Sequence, residues 1–219
     1  MPLEARRRRA SPFLKTVGRL NRALDRLAHW MCACAGWLFV ACALFITFDV
    51  LARKFLGFSS QSTTELSGYM LGVGIAWGLA GALDARAHVR IDVLIQRVPP
   101  YARGYLHWIA LATLAVFASF VVYGAWQTFS ESWTFKATDN SLLKVPLVIP
   151  QGLWLAGLGV FGAMAALRVL EVAAYLPRGD IEAIEQLTGP RSYVEEAEEA
   201  LQAAGASQHL VPAKGHGAS

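Results

Sequence analysis

Residues Trp30 to Phe48 read WMCACAGWLFVACALFITF, a run without a single Asp, Glu, Lys or Arg. As a helix it would rise about 28 Å at 1.5 Å per residue, close to the ~30 Å of hydrocarbon in a bilayer. Leu66 to Leu83, Tyr105 to Trp126 and Val145 to Leu167 share this pattern. With 55% hydrophobic and 16% charged residues among 219, the chain is too apolar for an ordinary soluble domain. Clustering of the apolar residues into four blocks points to a membrane rather than to one oversized core. The sequence predicts an all-α integral membrane protein with four transmembrane helices over about 30–48, 66–83, 105–126 and 145–167.

The flanks set the direction, because Lys and Arg gather on cytoplasmic loops. Arg6 to Arg9, Lys15, Arg19, Arg22 and Arg26 precede the first span, and Arg86, Arg90, Arg97 and Arg103 follow the second. The first loop has only Arg53 and Lys54, and the third only Lys136 and Lys144. Both termini are accordingly predicted in the cytoplasm. Trp30 and Trp108 fall at the inner boundary, and Trp126, Trp133 and Trp154 near the outer one. Trp37 and Trp77 lie deeper and are expected to pack against neighbouring helices.

Residues 1–29 form a basic segment in which Phe13, Val17, Leu20, Leu24 and Leu27 recur at helical spacing opposite Lys15, Arg19, Arg22 and Arg26. This predicts an amphipathic interfacial helix, started by Ser11 and Pro12 and lying on anionic lipid. The net charge of +4 calls for no nucleic acid, since the basic residues flank apolar spans and meet membrane lipids there. The transmembrane domain occupies 30–170. The tail, 171–219, is predicted partly disordered, with a short helix opened by Ser192 and Glu195 and ending near Gly205.

The chemistry is defined as much by what the spans lack. A carrier working inside this chain would place ionisable groups at mid-membrane, and none of the four runs has one. Asp49 and Arg53 are spaced for an ion pair on one helix, and Glu65 sits where a helix N-terminus favours negative charge. Cys32, Cys34 and Cys42 serve as small hydrophobes without metal-ligand spacing. No nucleophile with a base and no phosphate loop is present, so neither an enzyme nor a cofactor is predicted. One alternative is a haem held by His29 and His107 in the membrane anchor of a redox complex, and another is a scaffold unconnected with transport. Gly68, Gly72, Gly74, Gly78 and Gly81 give the second span small residues on two faces, for packing within the bundle or against another protein's helix.

Arg53-Lys54-Phe55 closes the first span, Glu65 opens the second, and Ala87-His88-Val89-Arg90-Ile91-Asp92 follows Gly78 at a set distance, with Pro146 opening the fourth span. Over about Leu27 to Tyr175 this resembles the DctQ-like small permease subunit of tripartite ATP-independent periplasmic (TRAP) transporters. The resemblance implies a non-enzymatic subunit of an ion-coupled symporter for a small organic acid. It would be a scaffold for a large permease subunit that carries the sodium and substrate sites, and a docking surface for a periplasmic substrate-binding protein. Arg53, Lys54, Glu65, Lys136 and Lys144 would then be docking candidates, and His88, Arg90 and Asp92 would fix the turn after the second span or hold the large subunit. The chain departs from the family pattern at Thr63 and Thr64, where an aromatic residue and a second carboxylate are usual. It departs again at Asp84-Ala85-Arg86, where two basic residues commonly precede the His motif.

Overall fold

The computed structural model describes residues 12–58, 62–85, 99–139 and 144–178, together with 184, 187 and 188. The chain divides into Met1–Thr188 and Gly189–Ser219, and every described residue belongs to the first unit. It contains α1 (Pro12–Leu56), α2 (Thr63–Asp84), α3 (Pro100–Thr134) and α4 (Val148–Tyr175), the last closed by a 3-10 turn over Leu176–Arg178. All four helices are long and apolar enough to cross a membrane, so the architecture is all-α and integral to the membrane. We call the end where α1 begins and α4 finishes the basal end, and the opposite one the apical end. The predicted tail helix over Ser192 to Gly205 lies outside the described residues.

α1 is one uninterrupted helix of 45 residues, about 67 Å long and more than twice the hydrocarbon thickness. The amphipathic segment predicted before the first span is helical and runs straight into it. Along the whole of α1 the residues turned inward follow a seven-residue repeat: Leu14, Asn21, Ala28, Ala35, Cys42 and Asp49, alternating with Val17, Leu24, Met31, Leu38, Phe45 and Ala52. A period of 3.5 keeps one seam of a slightly supercoiled helix against its neighbours. Of the predicted apolar stripe, Val17 and Leu24 lie in this seam, whereas Leu20 and Leu27 are exposed. Leu14 and Asn21 take the inner positions because α4 continues beside them, placing Val172 and Tyr175 against Leu14 and Glu171 against Asn21.

α4 is the hub, packing on α1, α2 and α3, while α2 also lies along α1. At mid-bundle, Ala28, Ala80, Ala118 and Ala165 come from four different helices and meet around Phe161 and Met164. Small side chains let backbones approach, which matters in lipid because no hydrophobic drive pushes the helices together. Gly157 marks the tightest crossing: a Cβ there would lie 2.9 Å from the Ala76 carbonyl carbon and 2.6 Å from the Trp77 ring. Trp77 packs at this crossing as predicted, and its indole N–H donates to the Leu153 carbonyl at 2.9 Å. Trp37 behaves differently. It is 75% exposed, because its position on α1 falls away from the seven-residue seam.

The predicted glycine faces divide. Gly74 and Gly81 face α1, where an added Cβ would fall 2.8 Å from the Phe39 ring and 2.6 Å from Cys32 Cβ. Gly68, Gly72 and Gly78 face open space. Pro146 does not open a helix; it sits before α4, bridged to Thr138.

Candidate functional site

At the apical end the connection between α3 and α4 closes on itself. Asp139 N–H donates to the Val145 carbonyl and Leu147 N–H to the Ala137 carbonyl, each at 3.0 Å, framing an antiparallel bridge between Thr138 and Pro146. Lys136 and Lys144 border this bridge with φ of 47° and 44°, a left-handed conformation unusual for non-glycine residues. The Tyr69 hydroxyl donates to the Asp139 carboxylate and ties the connection to α2. Both lysines are exposed beside this bridge.

The other predicted apical residues surround this loop. Arg53 pairs with Asp49 at 2.6 Å, as their spacing predicts, with Asp49 only 3% and Arg53 63% exposed. Lys54 is exposed and stands over the Phe55 ring. Glu65 occupies the first turn of α2, as expected from the helix dipole. Its Oε2 is shielded from solvent and has no hydrogen-bond partner among the described residues. Beside the loop, the last turns of α3 form an aromatic edge in which the Trp126, Phe129 and Trp133 rings follow one another at centroid distances of 6.1 Å. Helical rise puts Trp133 about 37 Å from Trp108, beyond the ~30 Å of hydrocarbon.

The basal end contains a polar cluster that sequence reading missed. Arg168 of α4 donates to Asp25 of α1 at 2.8 Å and reaches Asp84 of α2 at 3.4 Å. One turn further, the fully buried Glu171 accepts from the amide of Asn21 at 2.5 Å. Stopping the fourth span at Leu167 left Arg168 just beyond it and Glu171 in the tail, whereas α4 continues to Tyr175. The interruption of an apolar stripe by Asn21 was the available signal, since a polar residue on an inward face has a partner. Buried ionisable groups of this kind confer specificity of packing, because removing one member strands the other.

His88, Arg90 and Asp92 lie outside the described residues. The two histidines considered for haem stand in different settings: His29 is exposed on α1, and His107 is buried and engaged within the protein. Among the described residues no group of His, Cys, Asp and Glu is gathered in a way that would hold a metal ion.

What the molecule offers is two charged ends joined by a charge-free apolar middle, on four helices in an up-and-down bundle. Residues 42–175 match the family model described as tripartite ATP-independent periplasmic transporters, DctQ component. The chain belongs to the DctQ family. The match begins inside α1 and ends at the last residue of α4, so it takes in α2, α3, α4 and the apical third of α1. No curated protein and no solved structure matches the chain. As a DctQ protein it is a small subunit of a TRAP transporter, a family that works with a large permease and a binding protein and is not an enzyme family.

Proposed function

We propose that this DctQ subunit is the fixed membrane scaffold of an ion-coupled symporter for a small organic acid. Its basal end lies in the cytoplasm and its apical end faces the periplasm. The observation that carries the reading is the distribution of charge. Asp25, Asp84, Arg168 and Glu171 cluster at one end, Asp49, Arg53, Lys54 and Glu65 at the other, and the helix midsections between them have no Asp, Glu, Lys or Arg. Such a chain supports a carrier without coordinating ion or solute itself.

Within this reading the large subunit packs on the outward side of α1 and α2. Gly74 meets Phe39 and Gly81 meets Cys32 in this antiparallel pair, so Gly78 lies about level with Gly36. An added Cβ at Gly36, Gly68, Gly72 or Gly78 would meet nothing within 4 Å, while Leu71 and Ile75 project beside them. Open glycines flanked by aliphatic knobs suit a closely approaching helix in lipid. The binding protein docks apically on Lys54 and Lys136, with Arg53 contributing what its pairing with Asp49 leaves free. In this arrangement His88, Arg90 and Asp92 hold the cytoplasmic turn.

Co-expression with the large subunit tests the assignment. The two should co-purify, and sodium-dependent uptake into vesicles should require both chains and the binding protein. Gly72→Leu and Gly78→Leu should each break co-purification while leaving the isolated chain folded. Uptake by this chain alone overturns the proposal.

A further inference from the structure

α1 and α4 are clamped at the basal end, where Asn21 meets Glu171 and Asp25 meets Arg168. Toward the apical end a groove of about 350 Å³ opens between them with α2 as its floor, walled by Leu38, Tyr69, Val73, Trp77, Ile149 and Leu153. The two strong hydrogen-bond donors in this wall are already engaged: the Trp77 indole N–H on the Leu153 carbonyl and the Tyr69 hydroxyl on Asp139. An occupant therefore gains nothing from polar atoms in the groove and gains from hydrocarbon. Along α2, Tyr69 to Trp77 spans about 12 Å, which is most of the ~15 Å depth of one leaflet's acyl chains.

At the mouth the chemistry reverses. Lys144 adjoins the lining residue Val145, whose carbonyl is fixed by the Asp139 N–H. At the groove's upper edge the Tyr69 hydroxyl donates to Asp139, and Glu65 stands about one helical turn before Tyr69 on α2. Glu65 Oε2 is out of solvent and lacks a donor among the described residues. Two carboxylates near the Tyr69 hydroxyl, one with an unsatisfied oxygen, and a lysine next in sequence to the lining residue Val145 thus border one end of an apolar slot. We propose that this groove binds one phospholipid with a primary-ammonium headgroup. Its acyl chain lies between α1 and α4, its phosphate on Lys144, and its ammonium donates to Glu65 and Asp139. A helix of a protein partner would fill the slot without supplying paired opposite charges at the membrane surface. This inference uses only the chain's own residues and stands apart from the scaffold role.

The test is native mass spectrometry of the full chain purified in mild detergent, after exposure to equal amounts of phosphatidylethanolamine, phosphatidylcholine and phosphatidylglycerol with matched acyl chains. One phosphatidylethanolamine should be retained, favoured over phosphatidylcholine by about fivefold, the effect of roughly one net hydrogen bond, since a trimethylated amine has no N–H to donate. Ile149→Trp fills the slot and should lower retention about tenfold. Combined Glu65→Gln and Lys144→Gln should abolish headgroup preference while a lipid is still held. If Ile149→Trp loses its helical circular dichroism, Met70→Phe at the same wall serves in its place. Equal retention of the three lipids by the unaltered chain, or undiminished retention in the folded groove-filled variant, overturns the proposal.

Discussion

The two ends of the bundle handle charge in opposite ways. At the basal end Glu171 is fully buried on Asn21, and Arg168 is held between Asp25 and Asp84. At the apical end Lys54, Lys136 and Lys144 are exposed, and the Asp49–Arg53 pair has its cation in the open. Buried and paired charges fix helices relative to one another, because separating them leaves an ion without water or partner. Exposed charges add little to stability and are available to another surface. The same residue types are therefore committed to packing at one end and left open to another surface at the other, and burial decides which.

The sharpest way to break this contrast is Asn21→Leu, which takes the amide donor away from the buried Glu171 carboxylate. It should cost on the order of 3 kcal/mol, read as a lowered midpoint of thermal unfolding in detergent. Loss of well under 1 kcal/mol would mean that the basal cluster is not a clamp. Gly157→Val comes next at about 2 kcal/mol, since an added side chain meets the α2 backbone at the crossing rather than a flexible tip. At the apical end the outcome should change in kind. Lys54→Glu with Lys136→Glu should leave unfolding unchanged and weaken binding-protein affinity about tenfold, with the effect shrinking as salt is raised. Unaltered affinity and uptake would remove the docking role. The smallest effect is expected from Tyr69→Phe, about 1 kcal/mol, seen as faster amide exchange at Asp139 and Leu147 with the remainder of the bundle protected as before.

Four helices were legible because uncharged runs such as Trp30 to Phe48 have few alternatives to a bilayer. Asp49 with Arg53 was legible for a local reason, being one helical turn apart. What escaped depended on partners distant in sequence. Nothing near Asn21 announces Glu171, and an apolar stripe read as facing lipid gave no sign of the seam through Leu14 and Asn21 that packs on α4. The inward placement expected of Trp37 failed on the same account: depth is legible in a sequence of this kind, but the face of the helix is set by its neighbours. The glycines of α2 illustrate both limits, since one pattern of small residues supplies Gly74 and Gly81 to α1 and leaves Gly68, Gly72 and Gly78 outward.

An unbroken α1 also makes the subunit a lever. A rod about 67 Å long, gripped near its foot by Asn21 and Asp25, meets a thinner bilayer by leaning rather than by shortening. A lean of about 10° about that grip carries Arg53 and Lys54, roughly 48 Å along the rod, sideways by about 8 Å. Bilayer thickness is thereby converted into the lateral position of the charges that a soluble partner would meet.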